Sequence, residues 1–351
     1  MSIFRSPDNP IIRPQAVKPS RSDFEVIGAF NAGVTRLGDE VILLLRVAER
    51  PLNPNPGVCL APMVDADQKR LVIAEFDKDD PGCDFSDARV IKTPDGLYLT
   101  SLSHLRLARS RDGIHFDIEE TPALFPDNAY ESYGIEDPRI TFIDGRYHIG
   151  YTAISNAGIT VYLASTADFK SFRRHGVILP PDNKDVAIFP EKVSGKYYAL
   201  HRPATSGFGK PEIWIAESPD LLCWGNHRRL MGLRPGSWDG GRIGGGAVPF
   251  RVKEGWLEIY HGADRHNRYC LGAVLLSGAE PWQVIARSEA PLVEPEAQYE
   301  ADGFFGGVVF TCGALYEENK VKIYYGAADT CIAYAEIPIE DVLKSLKECR
   351  E

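Results

Sequence analysis

Glu136-Asp137-Pro138-Arg139 places two carboxylates, a rigid proline and a guanidinium in four consecutive positions, between Gly134-Ile135 and Ile-Thr-Phe-Ile-Asp-Gly-Arg-Tyr. The continuation predicts two strands joined by an Asp144-Gly145 turn. Proline is tolerated where a strand begins, so this charged group can hold its carboxylates at fixed angles toward a pocket. An Asp–Arg pair that ties off a turn is the structural alternative.

Four further stretches carry polar residues that a bland strand does not need. Asn31 and Arg46 lie in Phe30-Asn31-Ala-Gly and Leu43-Leu-Leu-Arg46-Val-Ala. An arginine after a run of leucines is costly to bury unless it is paired or meets a ligand, and both readings stand. Ser103-His104 reads instead as a hydrogen-bonded core histidine beside a strand. Lys184, Lys192, His201 and Arg202 gather positive charge within 19 residues of an acidic chain. Solvated lysines are the usual explanation of such a run, but His-Arg-Pro directly after Tyr-Tyr-Ala-Leu is not a typical surface sequence. In Trp238-Asp-Gly-Gly-Arg242-Ile-Gly-Gly-Gly246 the glycines can expose backbone amides to an anion beside Arg242. The stretch is neither a dinucleotide fingerprint nor a P-loop. Tyr260-His261-Gly-Ala-Asp264 and Tyr324-Tyr-Gly-Ala-Ala-Asp329 form a related pair. His261 is a candidate contact for phosphate or sugar, and Asp264 and Asp329 are equally suited to closing turns.

The elements that would position these groups recur along the chain. Each copy has an apolar strand, a Gly-containing turn, a strand rich in Tyr, Leu or Ile, and often a third strand ending in Ala-x-Ser/Thr and an Asp turn. Four copies are clear: Ala88–Thr100 followed by Leu107–Gly113, Pro138–Tyr147 followed by Leu163–Asp168, Phe189–Tyr198 followed by Ile215–Asp220, and Val248–Tyr260. Weaker ones run from Gly33 to Arg46 and from Gly307 to Tyr325. Short strands at a period of roughly 50 residues predict an all-β propeller rather than a sandwich, with five or six blades. Val342, Leu343 and Leu346 predict one helix over 339–351, packed on the outside. No internal domain boundary is visible, so residues 1–351 read as one domain, with 51–56 as a proline-rich loop.

Together with Tyr151-Thr152-Ala153, the Gly134–Arg139 segment resembles glycoside hydrolase family 130, which consists mainly of mannoside phosphorylases with some mannosidases. The resemblance extends from Pro10-Ile-Ile-Arg-Pro14 to the last repeat. It implies a five-bladed β-propeller with Asp137 as catalytic acid, passing its proton through the mannose 3-hydroxyl. It implies that Lys184, Arg202 and Arg242, with His261, hold phosphate. Asn31, Arg46, Glu136, Arg139, Lys192, His201, Tyr260, Asp264 and Asp329 are the expected sugar-side residues, Arg139 by orienting a carboxylate. The family usually has Lys-Ile-Gly-Ala-Gly where this chain has Arg242-Ile-Gly-Gly245-Gly; arginine keeps the charge and can bind phosphate through two nitrogens. Phe24–Asn31 and Leu43–Glu49 look most like enzymes acting on β-1,2-linked mannose.

The implied reaction is inverting phosphorolysis of a β-mannoside to α-mannose 1-phosphate, with inorganic phosphate as co-substrate and no metal or organic cofactor. An ordinary glycosidase needs two carboxylates across the bond, whereas a phosphorylase needs one acid and cations for its anionic nucleophile. A hydrolase of the same fold, with Glu136, Glu191 or Asp264 as base, a β-1,4-mannosyl phosphorylase and a non-catalytic sugar-binding propeller are the alternatives.

Bulk composition narrows the partners. The 351 residues are 44% hydrophobic and 25% charged, ordinary for a globular chain with a sizeable core. A formal charge of -10 argues against nucleic acid or an anionic membrane as partner. The N-terminal stretch lacks the apolar segment of a signal peptide, and the longest apolar run, Val41–Leu45, is too short to span a bilayer. Seven cysteines without a Cys-x-x-Cys pair suggest neither a zinc site nor a disulfide framework. A cytoplasmic protein with reduced thiols is expected. Exposed loops such as 51–56 leave room for a homo-oligomer.

Overall fold

Val41–Leu45 is apolar at every position because the strand that carries it, Glu40–Pro51, is covered on both faces; all five residues are buried. It lies between Phe24–Leu37 and Leu102–Ser110, and Asp117–Ile118 completes this first antiparallel sheet. The second sheet runs Ile135–Ile143, Arg146–Ser155, Gly158–Thr166 and Arg173–Leu179. Its first two strands are joined at Asp144 and Gly145, both at positive φ, as the Asp-Gly turn requires. Asn183–Ile188, Tyr197–Pro203, Ile213–Ser218 and Gly225–Met231 make the third. Arg242–Gly244, Gly255–Ala263, Tyr269–Leu276 and Val284–Ser288 form most of the fourth, and Val309–Glu317, Lys320–Ala327 and Cys331–Pro338 most of the fifth. The computed structural model describes residues 3–203 and 208–349, and the chain is all-β with little helix.

The fifth sheet takes its outer strand, Phe4–Arg5, from the other end of the chain. Arg5 Nε sits 3.0 Å from Oε1 of the fully buried Glu300, so a buried charge is neutralised where the two ends meet. The first strand of each sheet is an edge strand. That of the first sheet packs against those of the second and the fifth. Close approach of the first two depends on Gly33, where a Cβ would lie 2.6 Å from the Pro138 carbonyl oxygen.

Two expectations are corrected. The repeat assigned to 88–113 is not a unit. Between Glu40–Pro51 and Leu102–Ser110 the chain inserts a hairpin, Val58–Asp65 with Arg70–Asp77, and a small sheet of Asp84–Asp87, Val90–Thr93 and Gly96–Leu99. The hairpin of that apparent repeat belongs to the insertion, and only its Leu107 strand belongs to a main sheet, jointly with the weak copy at 33–46. Six apparent copies therefore make five sheets. The helix expected over 339–351 spans only Ile339–Ser345, after which Leu346–Glu348 adds to the edge of the fourth sheet; residues 350 and 351 lie outside the described part. Leu346 fits helical spacing, but its backbone is extended (φ -76°, ψ 138°) because that sheet edge offers it partners. Among the described residues no helix is long and apolar enough to cross a membrane, and Cys59, Cys83, Cys223, Cys270, Cys312 and Cys331 carry free thiols.

Candidate active site

All five edge strands contribute to one cavity of about 420 Å³. In the first four-residue stretch of interest, the ladder between Ile135–Ile143 and its neighbour breaks from Glu136 to Arg139. The same break occurs from Phe30 to Gly33, from Lys184 to Ala187 and from Thr311 to Gly313. Such bulges re-aim side chains that a regular strand would alternate. Three of them hold a polar residue in the left-handed region: Asn31 (φ 48°), Asp137 (φ 49°) and Asp185 (φ 57°). All three line the cavity. Asp329 (φ 48°) joins them from the turn after Lys320–Ala327.

The cavity has two electrically distinct halves. In one, Asp137 Oδ1 accepts from Asn31 Nδ2 at 3.0 Å and from Arg46 Nη1 at 3.1 Å. Arg46 also donates from Nη2 to Glu136 Oε1 at 2.5 Å and from Nε to Ser103 Oγ at 3.2 Å, with its guanidinium 4.7 Å from the Phe30 ring centroid. Burial pushes the Asp137 carboxyl up, but Arg46, Arg139 and the Asn31 hydrogen bond outweigh it and hold it below its ordinary value. Asp329 goes the other way: burial, with Asp137 and Glu136 nearby, raises it to about 6 against the pull of Arg46.

The other half is cationic. Lys184 and Arg202 are register partners on adjacent strands and line the cavity with Arg242, His261 and Tyr269. Arg242 Nη1 donates to the Tyr269 hydroxyl at 3.0 Å. Arg202 Nε lies 2.7 Å from Asp185 Oδ2, and His261 Nε2 lies 3.4 Å from the same oxygen. The fully buried His261 ring faces Phe310 at 4.3 Å between centroids.

Thus, of the residues singled out in the sequence, Asn31, Arg46, Glu136, Asp137, Lys184, Arg202, Arg242, His261 and Asp329 line one cavity. Five others do not. Arg139 is fully buried beneath the cavity, donating to the backbone oxygens of Asp137 (2.9 Å), Gly245 (2.7 Å) and Gly246 (3.1 Å); the carboxylate it approaches, at 3.5 Å, is Asp185. His201 is buried against Asn183 Oδ1 at 3.0 Å and His227 Nδ1 at 3.1 Å, and burial together with His227 lowers it to about 3. Tyr260 spends its hydroxyl on Asp239 (2.8 Å) and Arg287 (3.0 Å). Lys192 is exposed over the Tyr197 ring, and Asp264 caps a turn by accepting from the amides of His266 and Arg268. His104 is the expected core histidine, with Nε2 3.2 Å from Glu49. Asp185, Tyr269, Phe310, Arg89 and Phe305 also line the cavity and went unremarked in the sequence. For Asp185 a signal existed: it stands in its repeat where Asn31 and Asp137 stand in theirs.

The family model described as β-1,4-mannooligosaccharide phosphorylase, that of glycoside hydrolase family 130, matches residues 95–348. The chain belongs to glycoside hydrolase family 130. Over 351 residues, 99% of each sequence, this family 130 chain is 49% identical to the β-1,2-mannobiose phosphorylase of Listeria innocua. A solved structure of that phosphorylase in complex with β-1,2-mannobiose matches it with a TM-score of 0.96, covering 98% of this chain and 99% of the other. A 1,2-β-oligomannan phosphorylase of Thermoanaerobacter sp. is 40% identical over 252 residues, 71% of this chain and 83% of the relative. Two of the glycines that follow Arg242 in this family member are engaged within the protein. The Gly245 and Gly246 carbonyls accept from Arg139, and the Gly246 amide donates to Glu258 at 2.9 Å.

Proposed function

We propose that this chain catalyses the reversible, inverting phosphorolysis of β-mannosides, with β-1,2-mannobiose or short β-1,2-manno-oligosaccharides as substrates. The products are α-mannose 1-phosphate and an acceptor shortened by one mannose. The observation that carries this reading is the division of one cavity into a carboxylate half around Asp137 and a cationic half around Lys184, Arg202 and Arg242. The 49% identity to a β-1,2-mannobiose phosphorylase supports the linkage.

In this reading phosphate lies among Lys184, Arg202, Arg242 and His261, where its charge is met by fixed donors. The mannosyl ring lies between it and Asp137, near Asn31, Arg46, Glu136 and Asp329. A phosphate oxygen forms a bond to the anomeric carbon as the glycosidic bond breaks, and the leaving oxygen takes a proton that originates on Asp137 and is relayed by the 3-hydroxyl of the sugar. Asp137 is held as a carboxylate in the free protein, so substrate binding has to protonate it. Filling the cavity removes water and brings in an anion, and both favour the neutral acid. No metal or organic cofactor enters this scheme. The carboxylates that the sequence offers as a hydrolytic base are occupied elsewhere: Glu191 is exposed and paired with Arg251 at 2.9 Å, Asp264 closes its turn, and Glu136 is tied to Arg46.

The five main sheets are read here as the blades of a five-bladed propeller around this cavity. Support comes from the five bordering edge strands and from packing of the fifth sheet on the first. Incubating the protein with β-1,2-mannobiose, with and without inorganic phosphate, tests the function. Mannose 1-phosphate formed only with phosphate is expected. Free mannose at equal rates in both would make the protein a hydrolase, and no turnover would leave a sugar-binding protein.

A further inference from the structure

Asp185 is a carboxylate set into the cationic half of the cavity, where its charge opposes that of any anion bound there. It is buried, and its surroundings are specific. Oδ2 meets Arg202 Nε at 2.7 Å and His261 Nε2 at 3.4 Å, and Oδ1 is 3.5 Å from Arg139 Nη2. Its backbone takes a left-handed φ of 57° at a bulge, a conformation that costs an aspartate free energy unless its contacts require it. The neighbouring sheet is shaped to leave it room. A Cβ on Gly244 would lie 2.2 Å from Asp185 Oδ2 and 2.6 Å from His261 Nε2, so any larger residue there would displace the pair. Burial pushes the Asp185 carboxyl up, but Arg202, His261 and Arg139 outweigh it and hold it well below its ordinary range.

We infer that Asp185 is a positioning residue for the nucleophile: it orients Arg202 and His261 before phosphate arrives. The inference rests on the phosphorylase reading of this cavity. With Nε engaged by Asp185, the terminal nitrogens of Arg202 are presented as a fork of fixed direction, the geometry that suits a tetrahedral anion. A long side chain already immobilised loses less freedom on binding, which offsets the unfavourable charge. Arg139 extends the arrangement. It reaches Asp185 with one nitrogen and the Asp137 backbone oxygen with another, so a single guanidinium sets the separation between the proton donor and the anion site.

The test is steady-state phosphorolysis of β-1,2-mannobiose by wild type and Asp185→Asn, varying phosphate and sugar separately. The expected result is a phosphate KM raised at least about ten-fold, the order lost with one buried charge partner, with the mannobiose KM within about two-fold. A general structural defect would move both. Gly244→Ala provides a second variant in case Asp185→Asn does not fold; it shifts the pair without removing a charge and should give the same split. A phosphate KM in Asp185→Asn that is unchanged or lowered overturns the inference, because the carboxylate would then only oppose the anion. Wild-type turnover that ignores phosphate overturns the phosphorylase reading, and this inference falls with it.

Discussion

Asp137 and Asp329 face one cavity, yet their surroundings push their proton affinities apart, as expected where two carboxyls have different tasks. Asp137 has two cationic neighbours and an amide donor; Asp329 has burial and two like charges. Asp137→Asn keeps the shape of the side chain and removes its ability to deliver a proton. Turnover should fall by at least about 10²–10⁴-fold, the usual worth of a general acid, with the thermal transition little changed. Near-normal phosphorolysis would assign the acid elsewhere. Asp329 gives a separate prediction on stability. Its carboxyl binds a proton more tightly in the folded protein (about 6) than at its ordinary value of 3.8. The folded state therefore holds more protons between those values, and wild-type stability declines as pH rises through that window. Asp329→Asn cannot titrate, so it should gain on wild type between pH 4 and pH 7, by on the order of 1–2 kcal/mol once solvent in the cavity is allowed for. Urea denaturation at the two pH values measures this; a constant difference between the proteins would contradict it.

At the scale of elements, much of the architecture was legible because the hairpins announce themselves. Asp144-Gly145 marks a turn by the left-handed backbone both residues must adopt, and the alternation around it sets the strands. The insertion between residues 52 and 101 was not legible, since Ala88–Thr100 has the same strand–turn–strand pattern as a main-sheet hairpin and nothing local distinguishes the two. The bulges were equally hidden. A bulge is a property of two strands in register, so the only trace of Asp185 in one dimension is its place in the repeat, matching those of Asn31 and Asp137. Arg139 and Tyr260 misled for the opposite reason: their types suit a ligand, but neighbouring sheets supply partners that sequence separation conceals, Gly245 and Gly246 for one, Asp239 and Arg287 for the other. Gly33 offers a test of how sheet spacing serves the site. Gly33→Ala drives a methyl group toward the Pro138 carbonyl oxygen and toward Ile140. Overpacking of this kind costs about 1–3 kcal/mol. Because the strain falls between Asn31 and Asp137, kcat should drop several-fold while the phosphate KM stays near wild type. Equal losses in both parameters would mean that the two halves of the cavity are not separately supported.

At the scale of the whole molecule, the two halves of the cavity come from different parts of the chain. The carboxylate half is built by the first, second and fifth sheets, through Asn31 and Arg46, Glu136 and Asp137, and Asp329. The cationic half is built by the third and fourth, through Lys184, Arg202, Arg242 and His261. Packing of the fifth sheet on the first, with Phe4–Arg5 in its outer position, holds the halves in one frame. The stereochemistry of the reaction follows from that frame. A mannosyl ring between the halves has its leaving oxygen served from the Asp137 side and its anomeric carbon open to an anion from the other. With phosphate as the nucleophile, displacement should occur in a single step, and a single displacement inverts the centre. A β-mannoside must then give α-mannose 1-phosphate, and the reverse reaction must accept the α- but not the β-phosphate as donor. Proton NMR of the anomeric signal during early phosphorolysis, before spontaneous equilibration matters, distinguishes the products. A β-phosphate would require two displacements through a glycosylated carboxylate, and with Asp137 and Glu136 both bound to Arg46, Asp329 would have to be that group.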